Sequence, residues 1–365
     1  MTTYLLAGGG TAGHVNPLLA LADKISVAEP DSKIYALGTA EGLESRLVPA
    51  RGYDLLTIER LPFPRKLNAA ALRFPLRYRA IVAKVSDYLK ANQIDVVVGF
   101  GGYASAPAYS AAKALGIPVV IHEANALPGL ANRWAAKAAA AVGVAFKNTK
   151  LKNATFVGMP LRPEVEKLAK GIGLADKVAA RAHFGLDEST TTLLVTGGSL
   201  GAKKINDTIE ASRVWLRNAG IQVLHITGDR SELEPETSAD FVRLKYCDRM
   251  DLAITAADFA VCRAGSATVS EFAAVGLPAV YVPYPVGNGE QKINVADLLQ
   301  AHGGLVCLDA DFTPTYVQDK LIPLVSNSRN RNQMATAAKS VGVADGAQRL
   351  LNLVNSVLGA GKTSI

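Results

Sequence analysis

Short apolar runs rich in β-branched residues alternate along most of the chain with longer stretches of helical periodicity. That alternation predicts parallel α/β architecture. In the first half it places strands at Thr3–Ala7, Lys33–Leu37, Val96–Val98, Val119–His122 and Thr155–Val157. In the second it places them at Thr192–Val195, Ile221–Ile226, Phe259–Val261, Ala279–Val282 and Gly304–Leu308. Helical patterns lie between them, among them Asn16–Val27 and Ser266–Val275.

The two halves share a design. DVVVGFGGYASAPAYSAAKALGIPVV from Asp95 and DFAVCRAGSATVSEFAAVGLPAVYV from Asp258 both read as strand, glycine turn, small-residue helix and a Gly-x-Pro lead into the next strand. YLLAGGGTAGH at Tyr4 and LLVTGGSLGA at Leu193 form a second such pair. Two doubly wound domains are expected, with their glycine turns at strand C-terminal ends, where open α/β sheets bind ligands. Facing each other, they would hold that ligand in a cleft. The expected organisation is residues 1–162, residues 163–340 and a C-terminal helix in residues 341–365. Pro160 and Pro163 break regular structure at the first boundary.

With 365 residues, 49% hydrophobic and 19% charged, the chain has material for two or three buried cores and is no disordered sequence. Its three cysteines, none in a CxxC pair, exclude a disulfide scaffold and a zinc ribbon. No uncharged apolar run reaches the ~18 residues of a membrane span. The N-terminus lacks a basic signal-peptide region, so a cytoplasmic chain is expected. Charge is uneven: residues 1–162 carry 19 Lys and Arg against 10 Asp and Glu, whereas residues 163–365 carry 20 against 22. An anionic partner for the first half follows. Nucleic acid is not that partner, because no RNP-type aromatic pattern, zinc finger or helix-turn-helix is present.

The turn Gly8-Gly9-Gly10-Thr11-Ala12-Gly13-His14 suits a diphosphate, whose charge meets free amides at the following helix N-terminus. A dinucleotide site also needs an acid at the tip of the second strand, and Ala36-Leu37-Gly38-Thr39 has none. His14, directly after the loop, is a candidate for acid–base chemistry or ligand contact, or else a cap or packing residue. In the second half, Ser266, Ala267 and Thr268 offer amides and hydroxyls to a phosphate. Glu271, one turn into that helix, is placed to accept two ribose hydroxyls or simply to stabilise the helix start. The loop Gly289–Asn294 carries groups that read sugar hydroxyls or form a polar surface. Asp309-Ala310-Asp311 is a DxD, which binds a divalent metal in some nucleotide-diphosphate sites; here it also precedes a helix start where Asp or Thr would cap.

The segment Leu61–Arg79 interleaves bulky apolar groups with cations. It predicts peripheral docking on an anionic membrane: Phe63, Leu72, Phe74 and Leu76 dip into the interface while Arg65, Lys66, Arg73, Arg77 and Arg79 meet headgroups. A helix packed on its own domain with a solvated basic face is the other reading.

In order, GGGTAGHVNP, GFGGYASAP, HEANALPGLANRW, GMPLR, GGSLGAKKIN, RAGSATVSE and EQKIN resemble the motifs of one family. It is the MurG-type undecaprenyldiphospho-muramoylpentapeptide β-N-acetylglucosaminyltransferases of bacterial cell-wall synthesis. The likeness runs from residue 3 to about residue 300. It implies a GT-B fold, two Rossmann-like doubly wound domains with a C-terminal helix returning to the first. It implies inverting transfer of N-acetylglucosamine from UDP-N-acetylglucosamine to lipid I, giving lipid II at the cytoplasmic face of the membrane. No cofactor and no metal are expected.

The resemblance also sorts residues. Glu271 matches the ribose contact; Ser199, Arg162 and Ser266–Thr268 match diphosphate contacts. Cys247 falls where the family's backbone meets uracil, while Glu290 and Gln291 fall beside the sugar. Thr11, Ala12, Gly13 and Asn125 match donor contacts from the first domain. Gly9, Gly10, Gly101 and Gly102, with Tyr103 beside them, match the loops assigned to the acceptor's diphosphate. Ala12 replaces a commoner Gly, and Glu290 stands where a neutral or basic residue is frequent. His14 is the leading candidate for the base that takes the acceptor hydroxyl proton, with Glu123 in reserve. The alternative is another GT-B transferase acting on a lipid or a secondary metabolite.

Overall fold

All ten apolar runs predicted as strands form strands in the computed structural model, which describes residues 1–64 and 69–362. In chain order the strands are β1 Thr3–Ala7, β2 Lys33–Thr39, β3 Asp54–Ile58, β4 Val96–Gly99, β5 Val119–Glu123, β6 Ala141–Val144 and β7 Ala154–Phe156. They continue with β8 Thr191–Thr196, β9 Ile221–Ile226, β10 Glu236–Ser238, β11 Phe241–Leu244, β12 Phe259–Cys262, β13 Ala279–Tyr281 and β14 Gly304–Val306. Sequence patterning missed β3, β6, β10 and β11. β6 lies in an alanine-rich stretch that reads as helix, β10 at the sheet edge is Glu-Thr-Ser, and Arg243 interrupts the short apolar run of β11.

The chain divides into two units, one of Met1–Pro163 joined by the C-terminal segment from Asp345, the other of Glu164–Ala344. Each has its own sheet, in the order β3-β2-β1-β4-β5-β6-β7 and β10-β11-β9-β8-β12-β13-β14. The first sheet is parallel throughout. In the second only the β10–β11 pair is antiparallel. Strand order reverses between β1 and β4 in one sheet and between β8 and β12 in the other. These are the switch points at which ligands bind, outside the strand C-termini.

Strands β1, β4 and β5 are buried along their whole length because helices cover both faces. Ala69–Ala91, Ser105–Leu115 and Leu130–Ala135 cover one face, packing Val85, Leu89, Tyr109 and Ala135 on Leu5, Val97 and Ile121. Ala12–Ala28 covers the other, and the C-terminal helix Gly346–Lys362 joins it there. Leu350, Leu351 and Val354 of that last helix are buried against Tyr4, Leu6 and Leu18. At ~1.5–3 kcal/mol per buried side chain, this strip holds the chain end on the first unit. The second unit packs Ile205, Ile209, Phe241, Phe312 and Leu321 around Val195, Val223 and Val261.

Candidate functional site

At the first switch point two glycine loops touch. Gly101 and Gly102, after β4, take φ of +90° and +83°, and a Cβ on Gly102 would lie 2.6 Å from the Gly9 carbonyl oxygen. The backbone of one loop therefore lies on the other, and only glycine fits there. Ser105 fastens the second loop by donating to the carbonyls of Ala7 and Gly101 at 2.8 Å each. Beneath the first loop lies Glu44, fully buried, accepting from Thr39 N, Thr39 Oγ1 and Gly10 N at 2.8 Å. The tip of β2 carries no acid of its own, but the following helix, Glu44–Ala50, swings its first residue there. That carboxylate is spent on protein donors and closes the glycine loop.

His14 is half-buried in the first turn of the helix Ala12–Ala28. Its Nδ1 lies 3.1 Å from the Gly9 carbonyl oxygen and 3.3 Å from Thr11 Oγ1. Nε2 is directed toward Gly101, where an added Cβ would sit 3.3 Å away. Burial lowers the His14 pKa below the ordinary value, although the Gly9 carbonyl and the Glu123 and Glu44 carboxylates pull it upward. The ring is therefore neutral at pH 7 and able to take a proton.

Glu123 is a different case. Its carboxylate is buried and accepts from Asn125 N at 2.9 Å, Gly129 N at 3.0 Å and Asn132 Nδ2 at 2.9 Å. Asn132 accepts from the Tyr109 hydroxyl at 2.8 Å. Glu123 thus ties together the loop carrying Asn125, with three donors already on its carboxylate. Asn132 lies inside HEANALPGLANRW, yet sequence gave it no role; its burial is what reveals it. His122 is buried beside it, donating from Nε2 to the Gly158 carbonyl at 3.0 Å. Tyr103 is exposed at the loop's end, with the Arg60 guanidinium 5.0 Å from its ring centre.

The second switch point repeats the arrangement. Ser199 is exposed in the loop between β8 and the helix Lys203–Ala211, and its carbonyl accepts from Asp229 N at 2.9 Å. Gly201, at φ +83°, lies so close to the turn after β9 that a Cβ would meet the Thr227 carbonyl oxygen at 2.2 Å. Across the switch point, Gly265 caps the helix Ser266–Val275. Ser266, Ala267 and Thr268 form its first turn, and Glu271, 9% exposed, lies one turn further in. Asn294 ties the short helix Glu290–Asn294 to this loop by donating to the Ala264 carbonyl at 3.3 Å. Gln291 accepts from Tyr284 N at 2.9 Å, with Glu290 beside it. Cys247 is buried in the loop after β11. Arg162 lies just before the boundary between the units.

The DxD is occupied by structure. Asp309 pairs with Arg263 at 2.5 Å, and Thr313 accepts from Tyr316 N as the helix cap. Among the described residues no three His, Cys, Asp or Glu side chains gather as a metal site.

Within the segment Leu61–Arg79, exposure differs from residue to residue. Phe63, Leu72 and Leu76 are exposed at 68%, 83% and 71%. Phe74 is half-buried instead: its ring packs edge-on against Phe63, 5.4 Å between centres, and stacks on Tyr78 at 5.7 Å. It anchors the patch from below rather than dipping outward. Arg73 and Arg79 are exposed, and Arg77 pairs with Glu59. Arg65 and Lys66 lie outside the described residues. Among the described residues no helix is long and apolar enough to cross a membrane.

Comparison with known proteins agrees with this architecture. Residues 4–144 match the glycosyltransferase family 28 N-terminal domain and residues 192–350 the family's C-terminal domain. A protein of Leifsonia xyli subsp. xyli named UDP-N-acetylglucosamine–N-acetylmuramyl-(pentapeptide) pyrophosphoryl-undecaprenol N-acetylglucosamine transferase is 57% identical over 99% of this chain and 100% of its own. A Streptomyces coelicolor protein of the same name is 45% identical over 98% of each. Among solved structures, Acinetobacter baumannii MurG superposes with a TM-score of 0.77 at 26% identity, covering 98% of this chain and 100% of its own. The calicheamicin glycosyltransferase CalG4 shares the fold, with a TM-score of 0.68 at 16% identity over 99% of each chain. The chain belongs to glycosyltransferase family 28, among the N-acetylglucosamine transferases of pyrophosphoryl-undecaprenol-linked N-acetylmuramyl-pentapeptide.

Proposed function

We infer that this protein transfers N-acetylglucosamine from UDP-N-acetylglucosamine to N-acetylmuramyl-pentapeptide pyrophosphoryl-undecaprenol, lipid I, forming lipid II. The observation that carries the reading is 57% identity, end to end, to a transferase named for that reaction. The first unit takes the acceptor's pyrophosphate on the Gly8–Gly13 and Gly101–Gly102 loops, with Tyr103 alongside. The second takes UDP on Ser199, the Ser266–Thr268 helix start and Glu271, with Cys247 near uracil. Arg162, Thr11, Ala12, Gly13, Asn125, Glu290 and Gln291 complete the donor contacts. The first turn of a helix leaves its N–H groups without intrahelical partners, and this supports the diphosphate assignments at these helix starts.

In the reaction the acceptor C4 oxygen bonds to the anomeric carbon with inversion, and its proton passes to His14 Nε2. The anomeric C–O bond to UDP breaks and its electron pair leaves with UDP. Arg162 and helix N-terminal amides meet that charge; removing one such donor costs ~3 kcal/mol of transition-state stabilisation. The protein works peripherally at the cytoplasmic face of the membrane, through the exposed patch of Phe63, Leu72 and Leu76 and its flanking cations. Purified protein given UDP-N-acetylglucosamine and a lipid I analogue, with and without EDTA, yields the β-1,4-linked disaccharide on the lipid pyrophosphate; absence of that product in both refutes the reading. Turnover of His14→Ala within a fewfold of the unaltered protein refutes the base assignment.

A further inference from the structure

The peptide group joining Gly9 to Gly10 is gripped at both polar ends. Its N–H, on Gly10, donates to Glu44 Oε2 at 2.8 Å, and its C=O, on Gly9, lies 3.1 Å from His14 Nδ1. A carbonyl oxygen only accepts, so Nδ1 carries the hydrogen and Nε2 keeps its lone pair. We propose that Glu44 is a positioning residue that acts on His14 through this peptide, fixing the Nδ1–H tautomer and strengthening Nε2 as a proton acceptor. The proposal rests on the reading of His14 as the base.

Glu44 sits in a cradle built for it. The side chain is fully buried, where an unpaired carboxylate is costly. Three donors at 2.8 Å satisfy it. Gly9, Gly38 and Gly42 surround it, and a Cβ on any of them would come within 2.3 Å of a Glu44 atom. Three glycines from separate positions thus clear the space for one carboxylate.

The chemical consequence follows from polarisation. A carboxylate drawing on an amide N–H pushes electron density onto the same amide's oxygen. Each hydrogen bond in such a chain is strengthened by the next, by roughly 10–30%. The Gly9 oxygen becomes a better acceptor for Nδ1–H, and the imidazolium formed when Nε2 takes a proton is stabilised most. Carboxylates paired directly with histidine bases work in this way; here a peptide bond transmits the effect. The other charge facing His14 is Glu123, from β5, whose carboxylate is held by Asn125, Gly129 and Asn132 and acts only through its field. Thr11 and Gly101, which also lie beside the ring, are neutral.

The test follows the His14 ring nitrogens and the Gly10 amide by NMR through a pH titration of the full chain. The expected result is an Nδ1-protonated ring and a Gly10 amide resonance that titrates with the midpoint of His14. In Glu44→Gln the His14 midpoint falls by at least about half a pH unit, the size of one lost charge two hydrogen bonds and a peptide group away in a partly screened site. The acid limb of kcat/KM moves with it. A Gly10 amide that stays flat through the His14 transition overturns the proposal, and needs no variant to fold. So does a folded Glu44→Gln protein whose His14 midpoint and acid limb match those of the unaltered protein. A His14→Ala enzyme that turns over normally overturns the base reading instead, and with it the functional meaning of the relay, even if the coupled titration is seen.

Discussion

Replacing Glu123 by glutamine separates two roles that sequence leaves entangled. The carboxylate holds three donors, Asn125 N on Oε1 and both Gly129 N and Asn132 Nδ2 on Oε2. A glutamine can present its oxygen to the last two, but its NH2 then faces the Asn125 N–H. One charge-assisted hydrogen bond is lost and a buried donor is left opposed, together about 2–3 kcal/mol. For a domain of 150–250 residues each kcal/mol moves the melting temperature by about 2–4 °C, so a fall of about 5–10 °C is expected. Activity falls with it, because the loop carrying Asn125 loosens. Were Glu123 the base, its loss would lower kcat by roughly 10²–10⁴ with little thermal effect. Thermal melting and steady-state kinetics on the same preparation decide: an unchanged melting temperature with kcat down a hundredfold or more refutes the loop-holding role.

Gly201→Ala forces a Cβ toward the Thr227 carbonyl at a positive φ; UDP affinity, read by calorimetry, drops about tenfold or more while the acceptor KM holds, and unchanged UDP binding would count against the donor loop. Leu72→Ser with Leu76→Ser alters two exposed side chains, so stability stays within about 0.5 kcal/mol while sedimentation with anionic vesicles is lost. Equal vesicle binding by the variant, or binding indifferent to anionic lipid, contradicts the docking patch. Burial lowers the pKa of His122 to about 4, so between that pH and the unfolded value near 6.5 the unfolded chain binds the extra proton. Stability therefore holds above pH 6.5 and declines by about 3 kcal/mol as pH falls toward 4. A His122→Gln protein whose melting temperature retains the full decline over that range shows that the proton goes elsewhere.

Much of this protein is legible in its amino-acid order. Strands buried on both faces must be continuously apolar, so β1, β4, β8 and β12 announce themselves, and the glycine turns behind them mark the switch points. His14, Ser266 and Glu271 follow from their places beside those turns. Composition and charge located the basic half and the apolar-cationic segment within it. These features depend on neighbours a few residues away, which is the range over which a pattern can be read.

The tertiary structure alone decided the rest. Glu44 reads as an ordinary acid at a helix start until the fold swings it under a loop 34 residues earlier. The three donors that converge on Glu123 come from positions whose pattern does not announce them, and Phe74 reads as an outward anchor until it packs on Phe63 and Tyr78. The helix Gly346–Lys362 does not say in its own pattern which unit its apolar stripe closes; the family resemblance implies the first, and the packing of Leu350, Leu351 and Val354 is what fixes it there. In each case a buried polar or apolar group takes its partner from far along the chain. Nothing local records which partner that is, because burial and hydrogen-bond satisfaction are settled only when distant segments meet.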